Sequence, residues 1–244
     1  TSSMLEDAFL PLKHWKTKKG VKTDILTVES IYDNYPQGNS NQEKIKNCIY
    51  DYYKNRGIQW VLLGGDIEVV PGQMCHVQYN RSKNDTLKSS VVSDLYYAAF
   101  DGNFNWDADN DSIYGELEDN INLYSNVKIS RLPVWRVQEV SDYVNKLLRY
   151  EKEPNCDGSL DKMLMMGQIS GSYEPDSLGG RSDVHRKGEI IFSSYIQPYT
   201  SYISKKKLYD TGNDFGYTDG FTINNIINAI NNEKPHYLFV LTHG

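Results

Sequence analysis

The stretch "SNQEKIKNCIYDYYKNRGIQWVLLGGD", residues 40–66, joins one helix to one strand, and that pairing decides the fold. Ser40 followed three residues later by Glu43 forms a capping box, in which the serine hydroxyl accepts from the Glu43 N–H and the glutamate reaches back. Ile45, Cys48, Ile49 and Tyr52 recur on one helical face, and Gly57 supplies the stop. The apolar run that follows, closed by Gly64 and Gly65, reads as a strand covered on both faces, as in a parallel sheet.

The same alternation extends both ways. "TDILTV" (23–28) predicts a strand before this helix, and "NVKISRLPV" (126–134) predicts one after it. "QEVSDYVNKLLRYEK" (138–152) is an amphipathic helix with Val140, Val144, Leu147 and Leu148 inward. "EKEPNCDGSLD" (151–161), rich in proline, glycine and charge, marks a boundary. The pattern then restarts with strand "KMLMMGQIS" (162–170), a helix from Asp183 to Ile196, a strand near "KKKLYD" (205–210), and helix "TINNIINAINN" (222–232). It closes on a terminal strand, "HYLFVLTHG" (236–244), whose apolar run also reads as buried on both faces. Strands and helices alternating at these lengths imply right-handed crossovers. The predicted class is therefore α/β: two doubly wound subdomains with mainly parallel sheets, residues 1–153 and 160–244. The second is expected to be incomplete, with three strands.

Composition narrows the function. The 244 residues are 39% hydrophobic and 24% charged with net charge −6, and no face is rich in lysine or arginine, so nucleic acid is not an expected partner. Nineteen tyrosines alongside many Asn and Asp fit an extracytoplasmic protein. No stretch is apolar enough to span a membrane, and Thr1 opens into "TSSMLEDAFLPLKHWK" without a signal-peptide pattern, so any targeting segment or pro-region is expected outside these residues. Cys48, Cys75 and Cys156 are odd in number and far apart, which gives neither a metal pattern nor a disulfide framework. Cys48 reads as a small buried hydrophobe, Cys156 sits in a polar linker, and none of the three reads as a nucleophile.

Four segments at strand ends could carry chemistry. "GGDIEVVPG" (64–72) lacks the Lys-Ser/Thr of a phosphate loop and reads as a structural turn in which Asp66 caps or positions a neighbour. "DGNFNWDADNDSIYGELED" (101–119) places Asp107, Asp109 and Asp111 at alternate positions, with Glu116 and Glu118 beyond. Carboxylates in such a loop converge and repel unless a cation lies between them, and hard oxygen ligands suit Ca²⁺ in a structural role. Counting from Asp107, Glu118 falls twelfth as in an EF-hand, but the sixth position is Ser112 rather than glycine. The segment is thus a calcium loop of another type, or an acidic surface loop without metal; calcium is the favoured reading. The loop "SGSYEPDSLGGRSDVH" (170–185) carries Glu174, Asp176, Asp183 and His185, a low-ranked candidate. Finally, His243 and Gly244 lie where the terminal strand opens into the crevice of a parallel sheet. Histidine there acts as a general base, and a neighbouring glycine leaves its N–H open to a substrate oxygen; the plain alternative is a strand turning into a loop.

Taken in order, "LEDAFLPLKHWKTKKGVKTDILTVESIY", "NQEKIKNCIYDYY", "VLLGGDIEVVPG", "VSDLYYAAFDGNFNWDADNDSIYGE", "VKISRLPV" and "HYLFVLTHG" resemble the catalytic domain of the gingipain family of cysteine peptidases, in the same clan as the caspases. The resemblance implies two caspase-like subdomains, a secreted or surface-attached endopeptidase and protein or peptide substrates. It implies His243 as the catalytic histidine, the Gly244 N–H as an oxyanion donor, a nucleophilic cysteine downstream of residue 244, and a calcium-binding acidic loop. Asn126 stands where family members carry an acidic residue, which removes one candidate for orienting the histidine, and cleavage specificity does not transfer. The same residues also fit a non-catalytic, calcium-stabilised binding or adhesion module of this fold. A flavodoxin-like nucleotide binder ranks last for want of a phosphate loop.

Overall fold

The computed structural model describes residues 1–82, 85–153, 161–167, 189–198, 204–209, 219–220 and 222–241. The chain divides into two compact units, Thr1–Glu151 and Lys152–Gly244. It is a mixed α/β fold with short parallel sheets, as expected.

The first unit opens with α1 (Glu6–Lys18), α2 (Val28–Asn34) and α3 (Asn41–Arg56). The Ser40 cap on α3 forms: its Oγ accepts from the Glu43 N–H at 3.1 Å, while the Glu43 carboxylate reaches the Asn39 N–H at 2.7 Å. Gly57, at φ 64°, ends the helix in the left-handed region. Strand β1 (Trp60–Gly64) pairs in parallel with β4 (Lys128–Leu132), Leu63 opposite Arg131. Burial on β1 is confined to Leu63 and Gly64; Trp60 and Leu62 are 56% and 42% exposed, so the expectation of a strand covered throughout is corrected.

The predicted strand at 23–28 is also corrected. Leu26 O and the Val28 N–H bond to Thr1 rather than to a neighbouring strand, and the Thr27 hydroxyl accepts from the Ser30 N–H, starting α2 instead. A capping geometry at one threonine outweighs the β propensity of its apolar neighbours. Val28 and Ile31 of α2 join the core around α3. Between β1 and β4 lies an antiparallel hairpin that the sequence reading does not anticipate, β2 (Gln73–Ser82) with β3 (Asp85–Ser93). Met74, Val91 and Val92 are exposed, and the side of β2 that is buried begins with a polar residue, Gln73, before Cys75, so no apolar stripe announces it.

A guanidinium ties these pieces together. Arg131 on β4 grips Asp94 with two bonds, Nε to Oδ2 at 2.8 Å and Nη2 to Oδ1 at 2.7 Å. Its Nη1 donates to the carbonyls of Gly65, Asp66 and Val70 at 2.9, 3.0 and 2.7 Å. The turn after β1 is held from within by Asp66, whose Oδ1 accepts from the Glu68 and Val69 N–H groups, the capping role expected of it. Gly65 at φ 156° cannot be replaced, since a Cβ would lie 2.5 Å from Val69 Cγ1. Helix α4 (Val137–Lys152) closes the unit: its Val140 and Val144 pack with Leu5, Phe9 and Leu12 at the start of the chain. Glu151 collects Trp15 Nε1, Lys16 Nζ and Lys19 Nζ from α1, and the Lys16 bond first among them holds its carboxyl down to about 2.

The second unit contains a parallel sheet. Strands β5 (Lys162–Gly167), β6 (Ser204–Tyr209), β7 (Asp219–Gly220) and β8 (Tyr237–Leu241) lie in the order β7-β6-β5-β8. That is four strands where three were expected, the addition being the two-residue β7. Helix α5 (Ile223–Glu233) is capped by the Thr222 hydroxyl, which accepts from the Asn225 N–H at 3.2 Å. Its Ile226 and Ala229 pack on Leu164, Met166 and Leu208, while Met163 and Met165 meet Phe192 on the other face. The predicted helix at 183–196 is described only from residue 189, with a wide turn at Phe192–Ile196 closed by Gln197 N–H to Phe192 O at 2.7 Å. β5 is buried on both faces. β8 pairs with β5 alone among the described residues, and Leu238 and Val240 stay 53% and 45% exposed, against the expectation of a fully covered strand. No helix among the described residues is long and apolar enough to cross a membrane.

Replacing Arg131 by Met takes the guanidinium donors from Asp94 and from the Gly65, Asp66 and Val70 carbonyls in a largely buried place, Asp66 O keeping the Val69 and Val70 N–H groups, and the expected loss is about 3–5 kcal/mol, read from the urea midpoint. Arg131→Lys cannot restore the two-point grip and is expected to recover less than half of that loss.

Candidate functional site

Residues 101–121 form a loop closed at its neck, where Gly102 bridges Ile121 and the Gly115 N–H donates to Trp106 O at 2.8 Å. Of the five non-glycine residues with positive φ among those described, four lie here: Trp106, Asn110, Ser112 and Asn120. Conformations that L-residues avoid are thus concentrated in one segment, and its surroundings must hold them. Tyr96 packs edge-on against both Trp106 and Tyr114 and so fills the inside of the loop.

Asp119 is the hub. It is fully buried, and its carboxylate accepts backbone N–H bonds from Ala108, from Gly115 at 2.8 Å and from Glu116 at 3.1 Å. Asp107, also buried, accepts from the Ser112 N–H at 3.3 Å. Asp109 and Asp111 each cap the residue two further on. This folding gathers two overlapping carboxylate groups, Asp107–Asp109–Asp119 and Asp109–Asp111–Glu116, each with one oxygen per residue mutually within 4.8 Å. Partial burial first, then the negative charges of Asp111, Glu118, Asp109 and Asp119, push the Glu116 carboxyl above its ordinary value. An ion 2.3–2.6 Å from each oxygen spans such a set, whereas imidazole or thiolate, absent from both groups, would be needed by softer metals. The donor set fits a calcium ion.

The loop brings together four of the five predicted ligands, Asp107, Asp109, Asp111 and Glu116. Glu118 is exposed and belongs to neither group. Asp119 was not foreseen from the sequence. The signal that could have found it is its place between Gly115 and Asn120, two residues that adopt positive φ and bend the chain back onto it.

The predicted catalytic pair, His243 and Gly244, lies outside the described residues, as do Glu174, Asp176, Asp183, His185 and Cys156. The described chain leads toward them along β8, whose Leu241 is in register with Gly167 at the end of β5. Cys48 and Cys75 are buried free thiols, and burial pushes each up to about 11, so neither is poised for attack at neutral pH. Asn126 has a defined task. Its Oδ1 accepts from the Phe100 N–H at 2.8 Å and its Nδ2 donates to Asp101 at 2.7 Å, so both ends of the carboxamide are engaged.

The sequence profile of Peptidase family C25 matches residues 1–244. Among solved structures, the chain is similar to the complex of Porphyromonas gingivalis RgpB pro- and mature domains, with TM-score 0.66 and 21% identity over 100% of this chain and 47% of that one. It is also similar to the Arg-specific cysteine proteinase gingipain R, with TM-score 0.62 and 21% identity over 94% of this chain and 43% of the other. At this identity the likeness concerns the fold, and the chain spans less than half the length of these structures. No curated protein matches it.

Two substitutions separate the hub from the rim in chelator-treated protein. Asp119→Ala strands the Ala108 and Glu116 N–H groups, leaves the Gly115 N–H with Trp106 O alone, and is expected to cost about 2–4 kcal/mol by urea titration. Asp109→Asn relieves repulsion in both groups and is expected to leave the midpoint unchanged or higher. Asn126→Asp sets a second carboxylate against Asp101, at an expected cost of about 1–2 kcal/mol at pH 7. The raised carboxyl binds its proton more tightly folded than unfolded, so the lost stability returns as pH falls toward 4 in a pH-dependent melt, on the order of full recovery.

Proposed function

The chain belongs to peptidase family C25, and on that premise we propose that it is part of a cysteine endopeptidase in which His243 serves as the general base. The observation that carries this reading is the family match along all 244 residues, including the His-Gly that follows β8. The imidazole takes the proton from a cysteine thiol located beyond residue 244, and the thiolate attacks the scissile carbonyl. The Gly244 N–H donates to the oxyanion that forms. His243 then returns the proton to the leaving amine, and water releases the acyl group from sulfur. Cys48 and Cys75 take no part, being buried with raised thiols.

The acidic loop holds Ca²⁺ through Asp107, Asp109, Asp111, Glu116 and Asp119, with Glu118 at the rim, and the ion is structural: bound, it supplies only charge compensation. Protein or peptide substrates, action outside the cytoplasm and no nucleic-acid partner complete the reading. A non-catalytic module of the same fold is the second reading, and Asn126 favours it, since a carboxylate there is replaced by a structural amide.

In the full-length protein, His243→Ala is expected to lower kcat/KM on a peptide substrate by about 10³-fold or more with melting unchanged. Thiol alkylation is expected to abolish activity. Turnover that survives replacement of the downstream cysteine by alanine overturns the peptidase reading, and a fully folded protein without turnover on any peptide supports the module. Separately, free Ca²⁺ at about 100 times its Kd is expected to add about 2.7 kcal/mol to stability, seen as a rise in Tm that chelator reverses and Asp109→Asn removes.

A further inference from the structure

Lys46 on α3 has no solvent exposure, and its ammonium sits inside aromatic rings. The ring centres of Tyr96, Phe104 and Trp106 lie 4.1, 4.7 and 5.3 Å from Nζ. Its polar partner among the described residues is the Phe104 carbonyl, 2.6 Å away, and no carboxylate there comes within ion-pair distance. The titratable groups facing it are Glu43 from the same helix, Cys75 from β2 and Tyr96 from the turn after β3, with Tyr114 behind Tyr96. Besides Tyr114, the acidic loop contributes the Phe104 carbonyl and the uncharged rings of Phe104 and Trp106.

We propose that Lys46 is an acid-sensitive latch, which as a neutral amine clasps residues 104–106 to α3 and as an ammonium releases them, loosening the neck of the acidic loop. A neutral amine keeps one N–H on the Phe104 carbonyl and brings no charge into the nest. Protonation adds a full charge with two N–H groups that only ring faces receive, and ring faces recover part of the lost hydration, not all. Water can reach Nζ only if Phe104 and Trp106 swing aside. Trp106 is held at φ 62° directly before Asp107, so its departure opens the loop itself.

The other facing groups do not blur the transition. Burial pulls the Lys46 ammonium down to about 7, against the opposing influence of Cys75 and Glu43, while burial pushes the Cys75 thiol up to about 11 and the Tyr96 phenol above its ordinary value. The unfolded chain holds the Lys46 proton up to its ordinary value of 10.5. Stability from the closed latch is therefore gained as pH rises from about 7 toward 10.5, and below about 7, where folded and unfolded chains both hold the proton, it changes no further. The latch goes beyond the peptidase and calcium readings and stands whether or not either holds.

The test is hydrogen exchange on the whole chain in chelator-treated buffer at pH 6 and pH 8, corrected for intrinsic rate, with ¹³Cε titration of the lysines. Peptides covering 103–107 are expected to gain about tenfold or more in protection at the higher pH. Lys46→Met, of similar length and without charge, is expected to be equally protected at both. The same pH dependence in both proteins, or a Lys46 ¹³Cε midpoint above about 10, overturns the latch. If Lys46→Met does not fold, the titration of the unaltered protein decides alone, a midpoint near 7 supporting the proposal and one above about 10 overturning it.

Discussion

One half-buried guanidinium constrains the first unit. Arg131 meets Asp94 in two parallel bonds and three carbonyls in a third direction, so a single side chain fixes β4, the turn after β1 and the short turn after β3 at once. A planar fork with five donors can do this and a lysine cannot. From Asp94 the chain runs straight into Tyr96 to Phe100, the most deeply buried stretch of the unit, and on to the acidic loop. The loop therefore inherits its place from a charge pair on a neighbouring strand, and its own carboxylates need only shape what is already anchored. Asn126, just before β4, adds a second fastening to the same segment.

Two kinds of buried or crowded charge coexist around this frame, and they differ in how well they are answered. Arg131 and Asp119 are saturated: each lone pair or N–H that matters has a partner, and such groups lock structure. Asp109, Asp111, Glu116 and Lys46 are not. The three acids crowd one another on an exposed rim, and the lysine has a single carbonyl and three ring faces. On the readings proposed above, it is these under-answered charges that respond to their surroundings, the acids to cations and the amine to protons. Responsiveness and rigidity are separated by only a few residues along the chain.

Much of this was legible in the sequence where a local rule operates alone. Ser40, Gly57 and the stripe of Ile45, Cys48 and Ile49 delimit α3, and the apolar runs within 58–66, 126–134 and 162–170 locate strands. Reading failed where local signals compete or vanish. Thr27 is β-branched and sits among apolar residues, yet its hydroxyl is worth more as a cap. The β2–β3 hairpin leaves Met74, Val91 and Val92 exposed and buries Gln73 beside Cys75, so apolar alternation does not track its burial. An apolar run does not say whether a strand has neighbours on both sides, which is why β5 is covered and β8 is not. At the acidic loop, spacing revealed the rim acids, but Asp119 depends on backbone reversal at Gly115 and Asn120 that charge spacing alone does not encode.

The joining of α1 to α4 carries a consequence for biosynthesis. Leu5, Phe9 and Leu12 find their cover on Val140 and Val144, and Trp15, Lys16 and Lys19 find theirs on Glu151, more than 130 positions later. While the ribosome is still translating the middle of this unit, the amino-terminal helix lacks the cover that α4 supplies. Contacts this distant in sequence close slowly, and until they do the helix presents an apolar stripe to whatever chaperone is at hand. The unit is completed from its two ends, and its first-made helix is among the last to find its seat.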